Sequence, residues 1–158
     1  MDLDSLLSRH CITRGEYDST GLNFESIQAI CNHHVEATSE LESAGRYIAD
    51  RLQGVSEVHS LKLRVKSPAH LAAKVIRKKL EKSDLTLTVE TYESEITDLI
   101  GVRALHLFKN DWFQIHEFVK DKWELNETPT AYIRAGDPES LTRSFESADG
   151  VPKSVESR

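Results

Sequence analysis

Basic side chains gather in one short part of the chain, where a predicted strand is followed by a predicted helix. Arg64 and Lys66 end the strand, and Ser67 with Pro68 predicts a helix start, because serine caps helices and proline fits their first position. Helical spacing places further basic residues on one face of that helix: His70, Lys74, Arg77 and Lys78. Because phosphoryl transfer depends on cations that hold phosphate oxygens, this cluster predicts a polyphosphate-binding site.

A single carboxylate further along the chain has surroundings that suit a metal ligand. Asp98 precedes Leu-Ile-Gly-Val-Arg103, where a turn at residues 96–101 is predicted to lead into a strand. Mg²⁺ prefers oxygen ligands and keeps much of its water, so one carboxylate and a few phosphate oxygens are enough to bind it. We therefore predict that Asp98 is the catalytic, Mg²⁺-binding carboxylate.

Each of these features also has an ordinary structural explanation. A basic helix face is commonly a solvated surface, and Asp98 could cap the turn before Gly101. Arg103 could form an ion pair with Glu93 or Glu95, and these two glutamates could also assist at the metal. The presence of all the elements in one order along the chain favours the functional interpretation.

The first half of the chain predicts helices followed by a strand. Residues 1–22 have a small apolar cluster and then turn-forming residues, whereas residues 24–52 predict one long amphipathic helix ended by Gly54. Residues 58–65 alternate between apolar and polar side chains, as a half-buried strand does. The apolar positions of the long helix are Ile27, Ile30, Val35, Leu41, Ala44, Ile48 and Leu52.

The rest of the chain predicts alternating strands and helices. Residues 85–92 are strand-like, residues 102–108 predict a central strand, and Asp111 begins a helix whose aromatic residues face the core. Residues 129–133 predict another strand, and residues from 135 onward predict a mobile loop. Strands that alternate with helices indicate an α/β or α+β fold, with helices against a mixed sheet.

Composition excludes several kinds of protein. The chain has 26 acidic and 20 basic residues and a formal net charge of −6, which disfavours bulk binding to nucleic acid. Its two cysteines and its histidines lack the spacing of a disulfide or zinc site, and we expect His33 and His34 on the surface. Because no targeting segment or membrane-length apolar run is present, we expect a soluble, cytoplasmic protein.

The motifs together resemble the synthetase domain of the RelA/SpoT family, bacterial enzymes that transfer pyrophosphate from ATP to the 3′-hydroxyl of GDP or GTP. The resemblance rests on Arg64-x-Lys66, on Lys74 and on Asp98-Leu-Ile-Gly-Val-Arg103. It covers residues 58–108 and, more loosely, extends to 137. It implies a nucleotidyltransferase-like fold, with an N-terminal segment at 1–22, a partial domain at 23–136 and a flexible tail at 137–158.

The resemblance also implies a role for each matching residue. Arg64 and Arg103 would flank the adenine of ATP, and Lys66 with Lys74 would reach its phosphates. Asp98 would bind Mg²⁺. Weaker phosphate contacts would come from two further residues of the basic helix, Arg77 and Lys78. A small hydroxyl residue is common in the family where this chain has His70.

The acceptor side of the family's site is not found in this sequence. Neither the Gly-Tyr-Arg-Ser-x-His segment nor the Glu-x-Gln strand occurs, so we expect an N-terminal piece that binds ATP and Mg²⁺ but is inactive or nearly so alone. GDP or GTP is the expected acceptor, with tRNA or adenosine nucleotides as an alternative. A nucleotide-sensing module without catalysis is a third interpretation. An exposed sheet edge would favour a homo-oligomer, and no membrane partner or hydrolase motif is indicated.

Overall fold

A computed structural model describes residues 2–134, 136, 138–148 and 151–155. These residues fall into two compact units. The first comprises the described residues up to 54 together with 60–105, and the second comprises 55–59 together with the described residues from 106 onward. The described part of the chain contains eight helices and two two-stranded sheets. The predicted mixture of helices and strands is therefore confirmed, but the predicted mixed sheet is wrong for the described residues, which form one antiparallel pair and one separate parallel pair of strands.

Four helices precede the first strand: α1 (Leu3–Arg9), α2 (Arg14–Ser19), α3 (Phe24–Glu36) and α4 (Thr38–Gln53). The turn-rich connection predicted within residues 1–22 is wrong, because α2 occupies much of it. Thr13 and Glu16 form a reciprocal capping box at the start of α2, which satisfies backbone groups that would otherwise lack partners. Buried apolar side chains then hold the short helices in place: Leu6, Leu7, Ile12 and Tyr17.

The predicted long helix is divided into α3 and α4 at Ala37. Just after this break, the hydroxyl of Thr38 donates to the carbonyl oxygen of His34 at 2.9 Å, and such bonds to the preceding turn tend to bend helices. Gly54 follows α4 directly, as predicted. The two helices can therefore take different directions and pack against different partners.

The buried stripe of α3 runs through Ile27, Ile30 and His34. Val35 is 55% exposed, whereas His34 is completely buried, so the predictions of an apolar contact for Val35 and a surface position for His34 are both wrong. His34 follows Ile30 by four residues, a spacing that places both side chains on one helix face. Helix α3 therefore buries the polar ring of His34, a position that the predicted apolar stripe did not include.

Strands β1 (Ser60–Val65) and β2 (Ile100–Leu105) form an antiparallel pair. Alternate residues of each strand are half-buried and exposed, as the sequence predicts for β1. The central strand predicted at residues 102–108 is wrong, because β2 ends at Leu105 and pairs only with β1 among the described residues. Helix α4 packs on the half-buried face. Gly45 of α4 is buried, and a side chain there would collide with Leu63 of β1. The absence of a side chain at Gly45 therefore lets helix and sheet approach closely.

Helix α5 (Pro68–Glu81) begins as predicted and packs against α3. The Ser67 hydroxyl accepts from the His70 backbone N–H, and Pro68 occupies the first turn. The predicted apolar face is largely confirmed, because Leu71, Val75 and Ile76 are fully buried; Leu80, in contrast, is 39% exposed.

The strand predicted at residues 85–92 is wrong. This segment has irregular backbone at residues 85–88 and a turn at residues 89–91 that leads into the single-turn helix α6 (Tyr92–Glu95). The Thr91 hydroxyl donates to the carbonyl oxygen of Thr86 at 2.9 Å and accepts from the Thr88 backbone N–H at 3.0 Å. Threonine side chains thus satisfy backbone groups locally, and a β-rich composition produces turns here.

The second unit contains α7 (Trp112–Lys122), β3 (Thr130–Arg134), α8 (Glu139–Ser147) and β4 (Val151–Val155). Strands β3 and β4 are parallel, and α8 connects them. The strand predicted at 129–133 is confirmed as β3. The core-facing helix after Asp111 is confirmed as a helix, but none of its residues is fully buried. Asp111 does not cap it with its side chain, which instead accepts from the Phe108 N–H.

The segment from residue 135 onward was predicted as a loop, but its described residues form α8 and β4 instead. Three apolar residues at helical spacing, Leu141, Phe145 and Ala148, were too few to outweigh the polar composition of this segment. The Phe145 ring lies 4.2 Å from the Trp112 ring, centroid to centroid, so the aromatic contact holds α8 within its unit. The parts of that loop prediction at residues 135, 137, 149–150 and 156–158 lie outside the described residues.

Two further observations concern the whole chain. Cys11 and Cys31 are both free thiols. In the described part of the chain, no helix has the length and apolar character needed to cross a membrane.

Candidate functional site

Lys66 and Asp98 meet just beyond the paired ends of β1 and β2. Nζ of Lys66 donates to Oδ2 of Asp98 at 2.9 Å, and the exposed fraction of the side chain is 9% for Lys66 and 57% for Asp98. The backbone N–H of Lys66 also donates to the carbonyl oxygen of Leu99 at 2.8 Å. Main chain and side chain of Lys66 therefore both hold the turn that carries Asp98.

The charges around Asp98 favour its ionised form. Partial burial acts to raise the pKa of Asp98, but the hydrogen bond from Lys66 and the charges of Lys66 and Lys74 outweigh burial, so the pKa lies below its ordinary value. A carboxylate that stays ionised and partly exposed is a suitable ligand for a hard cation. Lys74 thus joins Lys66 and Asp98 in one electrostatic group.

The basic face of α5 is divided between two neighbours. Lys74 acts on Asp98, whereas Nη2 of Arg77 donates to the carbonyl oxygen of His10 at 2.9 Å. The His70 ring hydrogen-bonds to the Ser67 hydroxyl at 2.7 Å and packs edge-on against the His10 ring. Arg77 and His70 therefore hold the segment after α1, and the structure does not bring them to Asp98.

Lys78, the remaining predicted residue on this helix, is half-buried one turn after Lys74. Its four-residue spacing from Lys74 places the two side chains next to each other on the helix surface. Lys78 is thus available on the Lys74 side of the helix, while Arg77 is committed to the backbone of His10.

The exposed face of the β1–β2 pair carries three cations. Arg64 lies opposite Gly101, and Lys62 lies opposite Arg103. Together with Val102 they line a concave surface of about 230 Å³. Among the described residues, no carboxylate lies within ion-pair distance of Lys62, Arg64 or Arg103, so the alternative pairing of Arg103 with Glu93 or Glu95 is not observed.

This cationic face continues to the Lys66–Asp98 pair. Side chains two residues apart in a strand point to the same side, so Lys62 and Arg64 share the exposed face of β1, and Lys66 follows directly after the strand ends. The bond from Lys66 to Leu99 extends the pairing of the two strands past their ends. The structure therefore joins Lys66, Lys74 and Asp98 in one electrostatic group, and it places Arg64 and Arg103 together on the face of the strand pair that precedes this group.

Two residues of this region were missed in the sequence. Lys62 precedes Arg64 by two positions, so strand alternation alone predicts that it shares the exposed face. His34 donates from Nε2 to the carbonyl oxygen of Lys66 at 2.6 Å. Its four-residue spacing from Ile30 was a signal for burial, but no sequence signal indicated Lys66 as its partner.

Asp98 is an isolated carboxylate. In the portion of the chain described, no three His, Cys, Asp or Glu side chains are grouped to hold a metal ion. Glu93 accepts from the Tyr92 hydroxyl at 3.0 Å and lies 3.9 Å from Nδ1 of His33. The donor set therefore does not fit a metal held by protein alone, but it fits Mg²⁺ that arrives with phosphate oxygens as its other ligands.

The fold and site define an α/β protein with a cationic strand face around one ionised carboxylate. A family model described as "Region found in RelA / SpoT proteins" matches residues 63–145. This match covers more than half of the chain and includes every predicted site residue, and the chain belongs to the RelA/SpoT family. At the family level it is a (p)ppGpp synthetase-like pyrophosphotransferase domain. Neither the curated proteins nor the solved structures gave a match.

We predict that Lys66→Met raises the pKa of Asp98 toward its ordinary value. The substitution keeps an unbranched side chain in the site while it removes the hydrogen bond and the charge that lower this pKa. Carboxyl ¹³C chemical shifts followed against pH measure the change. Lys82→Met is the control, because Lys82 is an exposed lysine after α5; an equal rise in both variants would contradict the assignment.

The sign of the associated stability effect follows from the lowered pKa. A carboxyl group whose pKa is lower when folded stabilises the protein above its unfolded pKa, about 3.9, and this contribution disappears as pH falls through the folded value. We expect the free energy of unfolding to fall less steeply with decreasing pH in Lys66→Met than in the unsubstituted protein. Chemical denaturation at a series of pH values below 5 measures the two slopes.

We also predict that Lys62→Thr stabilises the ligand-free protein, because Lys62 and Arg103 are like charges directly opposite each other on neighbouring strands. The expected gain is about 0.2–1 kcal/mol, measured by chemical denaturation at low salt. The control is the same substitution in an Arg103→Thr background, where the repulsion is already absent. A gain of equal size in both backgrounds would assign the effect to strand propensity instead of charge.

Proposed function

We propose that this chain binds ATP with Mg²⁺ and provides the donor side of a pyrophosphate-transfer site whose acceptor is GDP or GTP. The observation that carries the proposal is the Lys66–Asp98 pair, which lies within the RelA/SpoT region and follows directly after the cationic face of β1 and β2. Family enzymes use ATP with Mg²⁺, and the charges described here suit that ligand.

Base binding is assigned to Arg64 and Arg103. Both arginines are exposed on the same face of neighbouring strands, and guanidinium planes stack favourably on aromatic rings. Gly101, opposite Arg64, places no side chain between them. Because neither arginine has a carboxylate partner among the described residues, both can turn toward a ligand without first breaking an ion pair.

Phosphate binding is assigned to Lys66 and Lys74, with Lys78 in a secondary role. Mg²⁺, when bound with ATP, would be held by Asp98 and would neutralise charge on phosphate oxygens. Lys66 keeps Asp98 ionised and oriented before binding. We assign Arg77 no phosphate contact in this state, because its guanidinium is bonded to the His10 carbonyl.

The proposed transfer has a simple bond balance. The 3′-hydroxyl of the acceptor gives up its proton to solvent, its oxygen forms a bond to the β-phosphorus of ATP, and the bond between that phosphorus and the α-phosphate oxygen breaks. AMP leaves with that oxygen, and the acceptor gains the β,γ-pyrophosphate. The cationic residues stabilise the charge on the phosphates while this exchange occurs.

The charge of the chain supports a mononucleotide acceptor over tRNA. Acidic residues outnumber basic ones, 26 to 20, and RNA binding depends on broad positive surfaces that neutralise backbone phosphates. The cationic face described here is a local one and is assigned to ATP, so no broad positive surface is left for an RNA backbone among the described residues. GDP or GTP is therefore the proposed acceptor.

Calorimetric titration with ATP, with and without Mg²⁺, tests the donor assignment. We expect Mg²⁺ to strengthen binding, Asp98→Asn to abolish that strengthening, and Arg64→Gln to weaken binding by about tenfold, as expected for loss of a cation–aromatic contact. Asp84→Asn is the matched control, since Asp84 is an exposed aspartate outside the site. Retained Mg²⁺ dependence in Asp98→Asn would refute the metal assignment.

A transfer assay tests the reaction and the acceptor. ATP labelled at the γ-phosphate is incubated with the chain and with GDP, GTP or tRNA. We expect this chain alone to move little or no label, because the acceptor-binding motifs of the family were not found in its sequence. Rapid transfer to GDP or GTP by the chain alone would overturn its assignment as a donor half-site, and label on tRNA would overturn the proposed acceptor.

A further inference from the structure

His34 lies on the buried face of α3 and contacts the residue at the centre of the candidate site. Its Nε2 is 2.6 Å from the carbonyl oxygen of Lys66. Because a carbonyl oxygen only accepts hydrogen bonds, Nε2 must carry the ring proton. This bond joins α3 to the junction between β1 and α5, where Lys66 stands.

Lys66 is consequently held at three points. Its backbone N–H donates to Leu99 at 2.8 Å, its carbonyl oxygen accepts from His34, and its Nζ donates to Asp98 at 2.9 Å. Fixing the main chain on both sides of the α-carbon also fixes the direction in which the side chain leaves it. A lysine side chain loses considerable rotamer entropy when it is ordered. Because the backbone of Lys66 already directs its side chain toward Asp98, less entropy is lost when the two side chains pair.

The other nitrogen of the ring indicates that His34 is more than a space-filling residue. Nδ1 of His34 is buried and has no hydrogen-bond partner among the described residues, a situation that costs free energy. The nearby Tyr92 ring packs edge-on at 6.3 Å but directs its hydroxyl to His33 and Glu93. An apolar side chain at position 34 would avoid this cost but would leave the Lys66 carbonyl unpaired.

We propose that His34 is a positioning residue, which orients Lys66, and through it Asp98, for binding of the polyphosphate and its metal. The effect on ligand binding rests on the function proposed above. The effect on Lys66 itself does not, because it follows from hydrogen bonds of the ligand-free protein. His34 acts through Lys66 and makes no contact with the ligand.

The test compares His34→Leu, which removes the donor, with His34→Gln, whose amide can donate from a position close to that of Nε2. Ile27→Ala is the control for general destabilisation, because Ile27 is fully buried on the same face of α3. Amide hydrogen exchange is measured for Lys66, which reports on its bond to Leu99, and for Leu71, whose N–H donates to Ser67 within α5. Affinity for ATP with Mg²⁺ is measured by calorimetry.

We expect His34→Leu to increase exchange at Lys66 by about tenfold more than at Leu71, and to weaken ATP binding by about tenfold, as for loss of one buried hydrogen bond. His34→Gln should restore both, and Ile27→Ala should change the two amides alike. Equal changes at both amides in His34→Leu, or failure of His34→Gln to restore Lys66, would overturn the proposal. If neither the unsubstituted protein nor any of the variants binds ATP, the proposed donor-site function is wrong. The exchange data still decide the role of His34 in that case.

Discussion

A nearly buried ammonium group requires a negative partner, and the candidate site is organised by this requirement. Removing a charged group from water costs several kcal/mol unless another charge and hydrogen bonds compensate it. Lys66 has a side chain only 9% exposed, and Asp98 is the carboxylate that pairs with it. The pair joins the end of β1 to the turn before β2, and the bond between Lys66 and Leu99 connects the same two segments. Charge pairing and strand pairing therefore reinforce each other.

The exposed face of β1 and β2 shows the opposite arrangement. Lys62, Arg64 and Arg103 stand close together without a carboxylate partner among the described residues, and like charges on neighbouring strands reduce stability. Such a cost is commonly found where a protein binds a ligand of opposite charge, because the ligand removes the repulsion. The Lys66–Asp98 pair thus gives the proposed site an oriented carboxylate. The cationic face of β1 and β2 gives it a surface that attracts an anion.

The sequence was most informative where local rules decide the outcome. Strand alternation placed Arg64 on an exposed face, and Ser67 with Pro68 located the start of α5, because capping and alternation depend on few neighbours. Tertiary contacts explain the misses: Arg77 bonds to His10 from a distant helix, and burial of His34 depends on the Lys66 carbonyl. The threonine-rich strand predicted at 85–92 failed because its hydroxyls bond to nearby backbone groups. The roles of the site residues toward ATP and Mg²⁺ are still predictions.

A crystal structure with Mn²⁺ in place of Mg²⁺ and a non-hydrolysable ATP analogue would show whether Asp98 binds the metal, because anomalous scattering locates Mn²⁺. We expect Mn²⁺ on the Asp98 carboxylate and on phosphate oxygens, with the adenine between Arg64 and Arg103 and the phosphates near Lys66 and Lys74. Mn²⁺ on a different carboxylate, or the nucleotide bound away from the β1–β2 face, would contradict this expectation.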